Sequence, residues 1–415
     1  MAVKLGNGNW AVKEDKLLAY NDNSGRFFNK EFDFDRGSSA TYVAKEGLIK
    51  SAASDVPRID FSDSTSGALL LEPQRSNLIT YSEAFDNGYW IKNGLLTPTS
   101  GFLSPNGDLS AFKIVEDTSN AVHRIRISSL ASGAAASKEF TYSFFVKKSE
   151  VKWFLLKGVV NTQSLTVNVW FDLENGVIGT ESNGSGKIEN YGNDWYRCSI
   201  NIATNSSATS INVYGYLADD DNSESYQGDG TSGLYIYGAQ LEQSFATSYI
   251  PSLSGSTTTR LADVCNNSGS AQDFNSEEGV LYAEISASES ATNKYINIYK
   301  DANNRILLWI TSSGTIRGYA IVNSSGSNVF IDTVGVDVTN NNKIALRWQG
   351  FTLSLFVNGT KIGDSTVTNN FSMMGLTTLD LKDVTNVNHF YGKTKDLQVF
   401  TEAKSDEQLA ALTTI

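Results

Sequence analysis

Cysteine is nearly missing from this 415-residue chain, which carries only Cys198 and Cys265, far apart in sequence. A small secreted domain held by disulfides would carry more, so both are read as free thiols. Histidine is as scarce, with His123 and His389 alone. Neither falls in an HExxH, HxH or cysteine-rich pattern, and no GxSxG turn presents a serine, so zinc hydrolysis and α/β-hydrolase chemistry find no support. Only five prolines occur and none follows Pro251. No apolar run approaches the roughly 20 residues that cross a bilayer, and the opening residues lack the basic-then-apolar order of a secretory signal, so no membrane insertion is expected. Charged residues make up only 19%, and the net charge is −12 with no run of Lys or Arg. A phosphate-tracking groove needs clustered cations, so nucleic acid is not an expected partner.

What is present is apolar and aromatic: 40% hydrophobic, with 18 Tyr and 21 Phe. That mass supports packed cores, and at about 100–200 residues per domain the length suggests two or three of them. Ser, Thr, Asn and Gly fill the remainder, as in strands joined by polar turns. The composition changes near Pro73, and the small polar stretch Ser252–Thr259 reads as a linker. The chain therefore divides into an N-terminal β-rich attachment or collar segment (1–75), a first sandwich (76–255), a linker (256–265) and a second sandwich (266–415). The first segment has few consecutive apolar residues and is expected to need a partner surface to order it.

Between these breaks the hydrophobic period is two, the mark of half-buried strands. From Phe140, the side chains of Phe140, Tyr142, Phe144 and Val146 point one way, with Thr141, Ser143, Phe145 and Lys147 opposite. Val167, Val169 and Phe171 alternate with Asn168, Trp170 and Asp172. Tyr196, Cys198, Ile200 and Ile202 alternate with Trp195, Arg197, Ser199 and Asn201, and Ile211, Val213 and Leu217 face away from Asn212, Tyr214 and Tyr216. The later strands YINIYKD, RILLWITS, KIALRWQG and TLSLFVNGTKI repeat the habit, and Asn358-Gly359 marks a two-residue hairpin turn that needs positive φ at both positions. One helix is expected at the end, where Ser405 and Gln408 form a capping box and Leu409 and Leu412 one apolar face. The fold class is all-β: tandem sandwiches, a short β-rich N-terminal segment and a short C-terminal helix.

Three groups of residues are candidates for function. The first is the set of outward aromatics Phe145, Trp170, Trp195, Tyr214 and Tyr216, with Arg197 and Asn212 among them. Flat rings beside hydrogen-bond donors suit the C–H faces and hydroxyl rims of sugars, and equally suit packing against a neighbouring domain or subunit. The second is Trp309, which faces away from Leu308 and Ile310, whereas Trp348 keeps step with Ile344 and Leu346 and is assigned to the core. The third is Asp219, Asp220, Asp221 and Asp229, whose oxygens could serve calcium or simply cap solvated turns. No catalytic residue and no cofactor other than calcium is expected. A carboxylate pair for glycoside hydrolysis is a three-dimensional arrangement that 45 acidic residues leave open.

Several stretches resemble a module of bacteriophage tail-fibre and head-spike proteins: FDFDRGSSATYVAKEGLIKSAASDVPRIDF from Phe32, and GALLLEPQRSNLITYSEAFDN running on to Trp90. GDGTSGLYIYGAQLEQSFATSYIPS, from Gly228 to Ser252, is similar to the closing strand of the carbohydrate-binding-module-like jelly roll that follows it there, and TTTRLADVC to the connector after that domain. The end, from His389, resembles the last strand and helix of concanavalin A-like, laminin-G-type sandwiches. The resemblance implies a non-enzymatic virion protein, a tail fibre, head fibre or spike that adheres to host-surface glycans. It also implies contact with other virion proteins through the N-terminal segment, homo-oligomerisation as a trimer, and release by lysis within the particle. A purely structural decoration protein and a polysaccharide depolymerase are the alternatives.

Overall fold

The computed structural model describes residues 2–6, 10–13, 16–21, 26–323 and 328–415. Antiparallel strands dominate, and the α-helix Asp406–Thr413 closes the chain. The chain forms two compact units. Unit 1 joins Met1–Lys45, Ala52–Pro73 and Leu261–Ile415, and unit 2 joins Glu46–Ser51 and Gln74–Arg260.

Unit 2 is a sandwich of two six-stranded sheets. One runs in the order Ile91–Asn93, His123–Leu130, Ile211–Ala218, Trp153–Val160, Leu165–Asp172 and Val177–Ser182. The other runs Thr99–Phe102, Ala111–Val115, Gly233–Gln243, Glu139–Lys148, Trp195–Ala203 and Gly186–Asn190. The alternation read from the sequence decides which side chains enter the core. Phe140, Tyr142, Phe144, Val146, Cys198, Ile200 and Ile202 from one sheet meet Phe154, Val167, Val169, Phe171, Ile211 and Val213 from the other. Phe144 lies edge-on to Phe154 across the gap, and Phe85 and Trp90 pack on Phe144 from the side. Close approach also explains Gly158, where a Cβ would lie 2.4 Å from Ile202 Cδ1.

The opposite faces of these sheets are partly covered, and this corrects the reading of five outward candidates. Phe145 and Trp195 lie beneath a second apolar cluster with Ile49, Ala111, Tyr237 and Tyr249. Beside them the buried Arg197 donates to the Thr247 carbonyl at 2.6 Å and lies over the Phe145 ring. On the other sheet Trp170 and Tyr216 are buried in a smaller cluster with Leu155 and Ala218, and Trp170 Nε1 donates to the Ser223 carbonyl. Period two says which face of a strand a residue occupies. It carries nothing about whether loops later fold over that face, and here they do.

Unit 1 is a second sandwich, and the N-terminal segment belongs to it. The strand Ala2–Gly6 pairs with Gly392–Phe400 from Ala2 opposite Phe400 to Gly6 opposite Asp396, and Ala68–Leu71 pairs with the same strand near its start. Trp10, Leu17, Phe32, Leu69 and Leu71 share one core with Leu281, Ile298, Leu308, Leu346, Trp348 and Leu397. The segment 1–75 is therefore not a free-standing collar: the surface that orders its part of unit 1 is the C-terminal sandwich of the same chain. The stretch 256–265 is likewise not a free linker. Thr258–Arg260 pairs with Arg75–Asn77 in unit 2, and Val264–Asn266 pairs with Arg26–Asp35 in unit 1. Thr258 and Thr259, at the end of the small polar stretch, sit on a short strand, and both short strands find their partners roughly 200 residues away in sequence.

A buried ion network joins these distant pieces of unit 1. Arg36 Nη1 lies 3.1 Å from Asp263 Oδ1, Arg58 Nη2 lies 2.5 Å from Asp263 Oδ2, and Arg58 Nη1 lies 2.7 Å from Glu72 Oε2. Backbone groups complete it: Glu72 N–H donates to Asp263, and the arginines donate to the carbonyls of Ser38, Thr41 and Ala53. Burial works against the Arg58 charge, and the Asp263 and Glu72 carboxylates outweigh it, holding the guanidinium above its ordinary pKa.

The remaining local expectations have plain structural counterparts. Asn358 and Gly359 have φ of 50° and 81°, and Val357 pairs with Thr360 across the turn. The helix begins on a capping box between Ser405 and Gln408, and Leu409 enters an apolar cluster with Val280, Tyr282, Ala345 and Phe356. Both cysteines are free, and burial pushes both thiols up, so neither is a reactive thiolate.

Two stability predictions follow from burial. Asp263→Ala removes the buried carboxylate that Arg36 and Arg58 share, leaving Arg58 with Glu72, and should cost unit 1 about 3–5 kcal/mol, measured by denaturant unfolding; a loss below about 1 kcal/mol would mean the pairs behave as surface ion pairs. Trp170→Ala should cost unit 2 about 3–5 kcal/mol in the same measurement. A near-neutral result there would show that the ring is not packed.

Candidate functional site

With five candidates covered, Asn212, Tyr214 and Trp309 are left partly exposed. The eight residues occupy three separate sheet faces: Phe145, Trp195 and Arg197 one, Trp170, Asn212, Tyr214 and Tyr216 another, and Trp309 a third, in unit 1. Trp309 is the one around which further accessible rings gather.

It stands on the five-stranded sheet of unit 1, ordered Asn328–Asp332, Ile316–Val322, Asn304–Ile310, Lys294–Asp301 and Thr378–Asp380. Ile296, Ile298, Ile306, Leu308, Ile310, Ile316, Ala320 and Ile331 leave one face of this sheet for the core. The alternate residues therefore share the other face. Register places Tyr295, Trp309, Arg317 and Asp332 in one row across four strands, and Asn297, Leu307, Tyr319 and Phe330 in the next.

The side chains in these rows hold one another in place. Tyr295 stacks on Trp309 with centroids 5.3 Å apart and planes 18° from parallel, and Tyr319 meets Trp309 edge-on at 6.2 Å. The Arg317 guanidinium lies 4.6 Å from the Trp309 centroid and 4.3 Å from that of Phe330, so it is layered against both rings. Asp332 accepts from Arg317 Nε and Nη2 at 2.6 and 2.8 Å, which fixes the guanidinium plane and raises its pKa. Trp309 Nε1 donates to Asn293 Oδ1 at 3.0 Å, which fixes the indole. Arg305 lies over Tyr319 and has no carboxylate partner among the described residues. Burial pushes the Tyr295 hydroxyl up, so it remains a neutral donor. Phe330 is 54% exposed.

Chemically, this face presents rigid rings, a clamped guanidinium and hydroxyl groups, and no convergent acid–base pair. Asn297, between Tyr295 and Tyr299, is fully buried with neither amide atom hydrogen-bonded among the described residues. A buried amide left in that state costs free energy, and such groups are rare in folded proteins. Of the face's residues, Tyr295 and Arg305 were within reach of sequence reasoning, because they keep step with strands that contain or neighbour Trp309. Arg317, Tyr319 and Phe330 enter only through cross-strand register.

The four aspartates do not gather as a ligand set. Asp221 accepts from the Thr180 N–H and hydroxyl at 2.8 and 3.0 Å, Asp219 from the Ser223 hydroxyl, and Asp220 from the Asp221 N–H. Asp229 accepts from the backbone and hydroxyls of Ser232 and Thr231, which hold its carboxyl well below the usual range. Among the described residues no three His, Cys, Asp or Glu side chains are placed to hold a metal ion. His123 is spent on folding: its two ring nitrogens face the carbonyls of Gly94 and Tyr226. His389 stacks on Tyr391.

No family model and no curated protein matches this sequence. Among solved structures, the CBM40 of the Ruminococcus gnavus IT-sialidase, bound to α2,3-sialyllactose, is 18% identical, covers 36% of this chain and 93% of its own, and superposes with a TM-score of 0.31. The native heptameric SAP-like pentraxin from Limulus polyphemus is 18% identical over 32% of this chain and 68% of its own, with a TM-score of 0.27. Domains LG4-5 of the mouse laminin α1 chain are 8% identical, cover 70% of this chain and 92% of their own, and give a TM-score of 0.25.

Proposed function

We propose that this chain is a non-catalytic adhesion protein that holds surface glycans on the outer face of the five-stranded sheet in unit 1. The observation that carries the reading is the partly exposed cluster of Tyr295, Trp309, Tyr319 and Phe330 across two neighbouring rows, with Arg317 locked between two of the rings. Pyranose rings offer C–H faces to flat aromatic surfaces and hydroxyls to neighbouring donors. Rings already fixed by stacking and by hydrogen bonds lose little freedom on binding, so more of the contact energy appears as affinity.

The setting we propose is a bacteriophage particle, as a tail fibre, head fibre or spike component. This part rests on the resemblance of the stretches 32–90, 228–252 and 257–265 alone. Within it the chain docks on other virion proteins and assembles as a trimer, which light scattering on the purified chain would measure.

The aromatic face is tested by binding of the full chain to host cells and to a glycan array. Phe330→Ala, at a half-exposed position, and Trp309→Ala should each weaken binding by about 2 kcal/mol, roughly thirtyfold, as expected for a central aromatic anchor. The Phe330→Ala melt should stay within about 0.5 kcal/mol of the parent. Unchanged binding by both variants would remove the glycan role of this face and favour a structural role for unit 1.

A further inference from the structure

The sheet of unit 2 that contains Ile211–Ala218 has an outer face with a different chemistry. Two rows of side chains cross it. In one, Arg126, Tyr214, Lys157 and Asn168 are paired in succession; in the next, Asn93, Arg124, Tyr216, Leu155 and Trp170. Tyr216, Leu155 and Trp170 seal much of the second row, whereas Arg126, Tyr214, Lys157 and Asn168 are all partly exposed. At about 4.8 Å between strands, four strands make the open row about 14 Å long.

Charge on this face is unbalanced. Lys157 is neutralised by both oxygens of Glu224, at 2.9 and 2.8 Å. Arg124 and Arg126 have no carboxylate at ion-pair distance among the described residues. Arg124 donates to Asn93 Oδ1 and to the Tyr216 hydroxyl, and Arg126 donates to the Ser128 hydroxyl. Arg124 lies 5.1 and 5.2 Å from the ring centroids of Tyr214 and Tyr216, which hold its guanidinium in place. Two adjacent cations without counter-charge thus share one face in a chain of net charge −12. In the same row Arg126 Nε and Asn168 Oδ1 lack a hydrogen-bond partner.

We infer that this face is a second binding site, independent of the aromatic face in unit 1, and that it takes an anionic saccharide. The carboxylate or sulfate of the sugar sits against Arg124 and Arg126, and its ring lies on Tyr214. A guanidinium offers parallel N–H donors that match a carboxylate or sulfate with two bonds, and such charge-assisted bonds are the strong ones. The ligand supplies the negative charge that the protein withholds from this pair alone on the face, since Lys157 already has Glu224. A polynucleotide fits less well, because its affinity comes from many phosphate contacts and only two uncompensated cations are offered.

The test is binding of the full chain to polygalacturonate, dextran sulfate, unsubstituted dextran and a DNA duplex, at low and high salt. At least one anionic polysaccharide should bind tenfold or more tightly than dextran, and the two anionic arms tell carboxylate from sulfate. High salt should weaken that binding. Arg126→Gln should reduce it about tenfold, with Arg126→Lys intermediate because the forked geometry is lost and the charge kept. Phe330→Ala should leave it unchanged, so that failure of the unit 1 face and failure of this one are read separately. Equal binding of dextran and the anionic polymers, tighter binding of DNA than of either, or an Arg126→Gln variant that binds as the parent does would overturn the assignment.

Discussion

The Asp263 carboxylate, buried between Arg36 and Arg58, is the contact on which the architecture of unit 1 turns. Arg58 extends the network to Glu72, so three separate stretches of chain are tied at one point without any water-exposed atom of consequence. Buried ion pairs are expensive to desolvate and repay this only when geometry and additional hydrogen bonds are good. Here the backbone carbonyls of Ser38, Thr41 and Ala53 and the Glu72 N–H supply those bonds. The arrangement is demanding, and that makes it specific: a chain with Asp263 elsewhere would take from both guanidinium groups the carboxylate they share.

Beside that junction, the N-terminal strands are part of the C-terminal sandwich. Ala2–Gly6 and Ala68–Leu71 both use Gly392–Phe400 as their partner, one toward each end of that strand. Pairing across nearly 400 residues carries a large loop-closure distance in sequence, though its entropic cost grows only slowly with length. The apolar return is direct, since Trp10, Leu17, Phe32, Leu69 and Leu71 enter the same core as Trp348.

The two units use their outer faces differently. In unit 2, Trp170 and Phe145 are consumed as packing residues beneath loops, and what is left accessible is a stripe of arginine, tyrosine, lysine and asparagine. In unit 1, the sheet carrying Trp309 keeps its rings accessible and orders them by stacking and by the Arg317–Asp332 pair. One face is thus suited to ring contact and the other to charge.

The sequence by itself determined the strands and their inner faces. Alternation is a local property of consecutive residues, so Phe140 to Val146, Val167 to Phe171 and Ile211 to Leu217 could be assigned correctly, as could the Asn358-Gly359 turn and the Ser405–Gln408 cap, both of which depend on residues a few positions apart. Only the tertiary structure decided which outward rings are covered, that Thr258–Arg260 and Val264–Asn266 are paired strands, and that Met1–Lys45 and Ala52–Pro73 belong with the last sandwich. The same holds for the rows that unite Trp309 with Arg317 and Phe330, and Tyr214 with Arg126. Those outcomes depend on strand order and register between segments far apart along the chain, and a period of two contains no information about which strand will lie alongside which.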